Sequence, residues 1–194
     1  MTDVIYERAF RSPVTSPEAL ALAERLARGI GADSAQSECL VSDDGRRMLC
    51  RFSVPNRSDG LRNGRARNRE RRWWIGRVRR PQAESRADAN LVDVVGEREL
   101  RTPMRSAGPT PLEQACRLCA SVHRVHLVRV YVSLDGLRAI GVFRAPDAES
   151  VRLAYRSAGA PLDRVWPFHP ARIERALARL PAPMPFAPAS PRGR

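Results

Sequence analysis

The sequence predicts an α+β fold: two tandem β-α-β-β-α-β modules, the ferredoxin-like arrangement, packed on each other as a pseudo-dimer. Three observations lead there. Residues 39–55 (CLVSDDGRRMLCRFSVP) align without a gap on 130–146 (VYVSLDGLRAIGVFRAP), 91 positions later, with seven of 17 residues identical. Both copies hold an Asp-Gly dipeptide between alternating apolar residues, at Asp44-Gly45 and Asp135-Gly136, which is a hairpin signal. Each hairpin is also preceded by a strand-like and then a helix-like stretch. The 194 residues thus divide into a first module over 1–80, a second over 88–170, and a short helix with a Pro-rich tail over 171–194.

The opening strands are VIYERAF (4–10) and LVDVVGEREL (91–100). The helix SPEALALAERLARGI (16–30) follows, with Ser16 as cap, Pro17 in the first turn and Glu18 at the positive helix end. Leu20, Ala23, Leu26, Ala27 and Ile30 form its apolar stripe. Its counterpart is 109–124, capped by Thr110. If Asp44-Gly45 is a two-residue turn, facing residues have numbers summing to 89, so Cys39 faces Cys50. A second helix, 145–159, ends at Gly159, and PLDRVWPFHP (161–170) supplies the last strand. In the first copy the corresponding helix, 57–72, holds two glycines and little apolar periodicity before WWIGRV (73–78) restores a strand. Residues 79–90 have linker composition, 171–180 suit one more amphipathic helix, and 181–194 hold five prolines.

The net charge of +13 comes from arginine alone, since the chain has no lysine. Residues 1–45 hold 4 Arg against 8 acidic residues, while 46–80 hold 13 Arg against Asp59 and Glu70. Arg62, Arg65, Arg67, Arg69, Arg71 and Arg72, with Trp73 and Trp74 for stacking, are therefore candidate contacts to a nucleic acid or another anionic partner. No apolar run is long enough to span a membrane, and the N-terminus lacks the pattern of a secretory signal, so the expected location is cytoplasmic with no membrane partner. Four cysteines are too few for a disulfide scaffold.

The chain carries no GxGxxG, P-loop, HExxH or GxSxG motif. Asp44 and Asp135 sit where turn carboxylates have a structural task. Cys116, Cys119, His123 and His126 would share one stripe if the helix ran through them, a donor set suited to nickel or zinc. Cys50 and His169 are further candidate ligands. No catalytic group stands out, and enzyme activity is not expected.

YERAF (6–10), SDDG (42–45), SLDG (133–136), FRAPDAESVRLAYRSAGAP (143–161) and LDRVWPFHP (162–170) together resemble the DUF4242 family. The resemblance implies a ferredoxin-like fold and a non-enzymatic protein that binds a small ligand or a metal ion such as nickel. It places the family's hairpin cysteine on Cys50, but on Gly141 in the second copy. The histidine carried by the family's second helix has no counterpart at Ala154, Tyr155, Asn63 or Gly64. Two further readings stand beside it: the arginine-rich nucleic-acid module and a structural fusion whose ligand site is lost.

Overall fold

A computed structural model describes residues 2–55, 71–79, 90–104 and 122–171. Its elements are β1 (Thr2–Ala9), α1 (Ser16–Gly29), β2 (Asp33–Ser42), β3 (Arg47–Val54), β4 (Arg71–Arg79), β5 (Val92–Glu99), β6 (His126–Ser133), β7 (Arg138–Ala145), α2 (Ala148–Ser157) and β8 (Arg164–Ala171). All eight strands join one closed antiparallel barrel in the order β1-β3-β2-β8-β5-β7-β6-β4.

This corrects the expected fold class. Two separate modules, each with its own sheet and packed as a pseudo-dimer, would leave β2, β4, β6 and β8 as open edges. Instead β2 pairs with β8 through Cys39–Ala171 to Ser42–Phe168, and β4 pairs with β6 through Gly76–Ser133 to Arg79–Val130. Unpaired strand edges present rows of unsatisfied backbone groups, and closure removes them. The expected internal module–module pairing is thereby replaced by a continuous hydrogen-bonded wall. The helices predicted over 57–72, 109–124 and 171–180 lie mainly outside the described residues, although Arg71 and Arg72 belong to β4 rather than to a helix.

Local chemistry accounts for the elements. Thr15, not Ser16, caps α1. The Thr15 side chain accepts from the Glu18 N–H, and the Glu18 carboxylate accepts from the Thr15 N–H at 2.8 Å. This reciprocal box satisfies donors that the first turn leaves free. Ala19, Ala23 and Ala27 form the buried face of α1 at four-residue spacing. In α2 the Asp147 side chain accepts from the Ser150 N–H at 2.6 Å, which holds its carboxyl below the ordinary value.

The two hairpins are built alike. Gly45 and Gly136 have φ of +65° and +72°, a region that favours glycine. A side chain on either would strike backbone, at 2.4 Å from the Val14 oxygen or 2.7 Å from the Met104 nitrogen. Those contacts exist because Val14 N–H donates to Gly45 O, and Met104 N–H to Gly136 O. Each hairpin therefore pins the chain leaving the preceding strand. The Gly45 N–H closes the turn on Ser42 O, so the turn begins earlier than a bare Asp-Gly pair, yet Cys39 still opposes Cys50.

Strand alternation sends apolar side chains to both surfaces of the wall. Outside, Val4, Tyr6, Met48 and Phe52 pack beneath α1, while Val94 and Phe143 pack against Val151 and Tyr155 of α2. Inside, Ile5, Leu40, Leu49, Val95, Ile140, Val142 and Phe168 fill the lumen. A fully buried side chain of this size contributes about 1.5–3 kcal/mol. Among the described residues no helix is long and apolar enough to cross a membrane.

Candidate active site in the barrel lumen

The lumen's apolar waist lies between two charged ends. At the hairpin end, Arg138 donates from Nε to Glu7 Oε1 at 2.6 Å, from Nη2 to Glu7 Oε2, from Nη2 to Glu97 Oε2 at 2.9 Å and from Nη1 to Glu99 Oε1 at 3.2 Å. Trp74 Nε1 donates to Glu7, and Trp166 Nε1 donates to Glu97 Oε1 at 2.8 Å. Arg47 and Arg164 each lie 3.6 Å from Glu97. Glu7 and Glu97 occupy equivalent places on β1 and β5, which stand opposite each other in the barrel. Burial opposes the Arg138 charge, but hydrogen bonds and attraction from Glu7 and Glu97 prevail and raise the guanidinium above its ordinary value. Three carboxylates meet three guanidinium groups here, so the cluster is a satisfied polar plug.

The opposite end is more open and less complete. Glu38 on β2 and Arg129 on β6 are 91 residues apart and sit on opposed strands. They form an ion pair across the lumen with side chains 25% and 20% exposed. The Tyr131 hydroxyl donates to Glu38 Oε2 at 3.1 Å, and the Arg129 guanidinium lies 5.8 Å from the Tyr131 ring centre. Burial first, and the Glu38 charge second, push the Tyr131 phenol well above its ordinary value, so it remains a proton donor. Arg51–Asp3 at 3.3 Å and Arg144–Asp93 at 3.4 Å add two further pairs. Arg129 Nε is buried with no hydrogen-bond partner. Arg8 Nε and Arg98 Nη1 share that state on the outer surface.

Apart from Trp74, none of these lumen residues stands out in the sequence as a site residue. The one signal for them was the repeat itself, which sets Glu7 against Glu97, Arg47 against Arg138 and Glu38 against Arg129.

Among the described residues, the candidate metal ligands do not converge. Cys50 lies on β3 outside the lumen, with its sulfur 3.0 Å from that of Cys39. Its equivalent is Gly141 because the Phe143 ring would come within 2.4 Å of any side chain there. His123 lies just before β6, His126 begins β6 opposite Arg144, and His169 is placed by its backbone opposite Val41. Cys116 and Cys119 lie outside the described residues. Among the described residues no three His, Cys, Asp or Glu side chains are grouped to hold a metal ion.

The structure bears on the arginine-rich reading at Trp74 alone among its candidate residues. Arg47 and Arg51 pair with Glu97 and Asp3 inside the barrel. Trp74 faces the lumen, half-buried, with its indole N–H bound to Glu7. Arg62, Arg65, Arg67 and Arg69 lie outside the described residues. Arg71, Arg72 and Trp73 are placed in β4 by their backbone.

No family model matches the chain, and no curated protein matches it. Similar solved structures include an anthrone oxidase-like protein, at 11% identity and TM-score 0.47, covering 86% of this chain and 89% of that one. Two others are described as a "putative monooxygenase". The one from Lactobacillus acidophilus has 8% identity and TM-score 0.40, covering 88% and 95%. The one from Fusobacterium nucleatum has 6% identity and TM-score 0.43, covering 88% and 92%.

The DUF4242 resemblance is corrected by two findings: the strands close one barrel, and no family model matches. The expectation of a non-enzymatic binding protein of the DUF4242 type, and that of a two-module fusion with a lost site, go with it. Likenesses this distant assign no activity, so the chemistry rests on the barrel's own residues.

Proposed function

We propose that the protein is an enzyme that moves a proton on a small anionic organic substrate at the Glu38–Arg129–Tyr131 end of the lumen. The observation that carries this reading is the buried, unpartnered Arg129 Nε beside a phenol–carboxylate hydrogen bond. A buried donor without a partner is uncommon, and a substrate oxygen would satisfy it. Glu38 is the base: its carboxylate takes a proton from carbon or oxygen of the substrate. The negative charge left on the substrate oxygen is met by the Arg129 N–H and by the Tyr131 hydroxyl once it turns from Glu38. Such preorganised donors act strongly in a water-poor site. The reading assumes the cytoplasm as its compartment.

The test is exchange of substrate carbon-bound hydrogen for deuterium, followed by NMR in heavy water with 2-oxo acids, beginning with pyruvate. Wild-type protein should accelerate exchange, and Glu38→Gln should reduce it by about 10²-fold or more, the usual weight of a general base. Arg129→Met should raise KM more than it lowers kcat. Exchange that persists in Glu38→Gln, or no acceleration over solvent with any acid of the set, would sink the reading.

A further inference from the structure

Cys39 and Cys50 stand directly opposite on neighbouring antiparallel strands, fully buried, with their sulfur atoms 3.0 Å apart and not bonded. Opposed residues in an antiparallel pair have Cα atoms about 4.5–5.5 Å apart, within the span of about 4.4–6.8 Å that a disulfide accepts. Closing the remaining gap to the bond length of about 2.05 Å asks for side-chain rotation rather than movement of a strand. The residues above them come from α1, whose buried face consists of Ala19, Ala23 and Ala27. Leu20, Leu22 and Leu26 of α1 and its C-cap Ile30 pack on the same cluster, so an oxidant reaches the thiols only when this cover opens locally.

We propose that Cys39 and Cys50 form a reversible disulfide with a low-molecular-weight disulfide, such as oxidised glutathione, as the oxidant. One protein thiol loses its proton to solvent and attacks a reagent sulfur, breaking the reagent's S–S bond and releasing one glutathione thiolate. The second protein thiol, likewise deprotonated, attacks the mixed disulfide and releases the second glutathione. Two protein thiols are oxidised to one disulfide, and the reagent disulfide is reduced to two thiols. Burial raises the Cys50 thiol well above its ordinary value, so exchange waits on the opening of α1 and is slow in the closed fold. The new bond ties β2 to β3 one residue from Glu38, immediately beside the shift in register between Asp33 and Glu38. Oxidation therefore fixes the strand that carries the lumen carboxylate.

Trypsin separates the cysteines of the chain cleanly, because Cys39 falls in 29–46, Cys50 in 48–51, Cys116 in 106–117 and Cys119 in 118–124. The full-length protein is incubated with oxidised glutathione, alkylated in denaturant, digested without reductant and weighed by mass spectrometry. Peptides 29–46 and 48–51 should appear joined, lighter by two hydrogen atoms than their sum, and should separate on reduction. Recovery of both as alkylated thiols, as stable glutathione adducts, or joined instead to the Cys116 or Cys119 peptides overturns the proposal. This outcome is independent of proton transfer at Glu38, which the heavy-water assay reads separately.

Discussion

Arg138 holds Glu7 with two guanidinium donors inside the barrel, although 131 positions separate them in the chain. The same guanidinium reaches Glu97 and Glu99, so one cation neutralises carboxylates from both halves of the sequence.

Removing that cation leaves Glu7 and Glu97 buried against each other. Arg138→Met should destabilise the fold by about 3–5 kcal/mol, the usual effect of breaking one side of a buried ion pair. Adding Glu7→Gln and Glu97→Gln to the same chain should recover part of the loss. Urea unfolding of the three proteins checks both statements, and a loss that the glutamines do not reduce would show that packing, not charge, is what Arg138 provides.

Arg47 is the repeat counterpart of Arg138 but is one-third exposed and lies 3.6 Å from Glu97. Pairs of that kind contribute about 0–1 kcal/mol. Arg47→Met should accordingly shift the urea midpoint far less than Arg138→Met, and equal shifts would contradict the asymmetry of the cluster.

The glycines on β5 and β7 are filled by a neighbour rather than by space. Gly96 opposes Gly141, and the Phe143 ring lies over both. Gly141→Ala would set a methyl group 2.4 Å from that ring and disturb its edge-to-face contact with Tyr155. We expect a loss of about 1–3 kcal/mol, as for an overpacked core. Thermal melts of Gly141→Ala alone and with Phe143→Leu should show the second change relieving part of the first.

A turn carboxylate gives the fold a dependence on acid. The Ser42 hydroxyl at 2.6 Å and the Arg46 N–H at 2.9 Å both donate to Asp44, which lowers its carboxyl below the ordinary value. Because the folded value is depressed, its contribution is present above the unfolded value of about 3.9 and is lost as pH falls through the folded one. Wild type should exceed Asp44→Ala in Tm at neutral pH, and the gap should narrow steadily below about pH 4. A gap independent of pH would locate the effect in the loop backbone.

At high pH the sign reverses for Tyr131. Its raised value means that the unfolded chain releases a proton first, so stability falls as pH climbs past about 10. Tyr131→Phe removes that component, and the difference between the two proteins should change slope in alkaline urea titrations.

Much of the local structure was legible in the sequence. The helix at 16–30, the helix ending before Gly159 and the Cys39–Cys50 pairing all follow from patterns within a few residues, where caps, turns and alternation act directly. The closure was not, because nothing near β2 or β4 names β8 or β6 as its neighbour. The lumen charges give no sign of it for a related reason. Glu7, Glu38, Glu97, Arg129 and Arg138 alternate with apolar residues as the polar face of a strand against solvent does. Only the closed wall shows that this polar face looks inward. Trp74 was read as a possible external stacking surface on the same grounds, whereas its indole N–H is bound to Glu7 in the lumen.

Closure also sets a timetable for synthesis. The ribosome delivers β1 to β4 before β6 and β8 exist, and through that interval β2 and β4 wait with one side unpaired. The final partner of β2 is the last described strand, so the earliest half of the chain is completed only by its far end. Contacts of such long sequence separation form slowly and leave adhesive edges in the meantime. Slowing translation near the end of the message should therefore raise the aggregated fraction of this protein, while leaving the finished barrel unaltered.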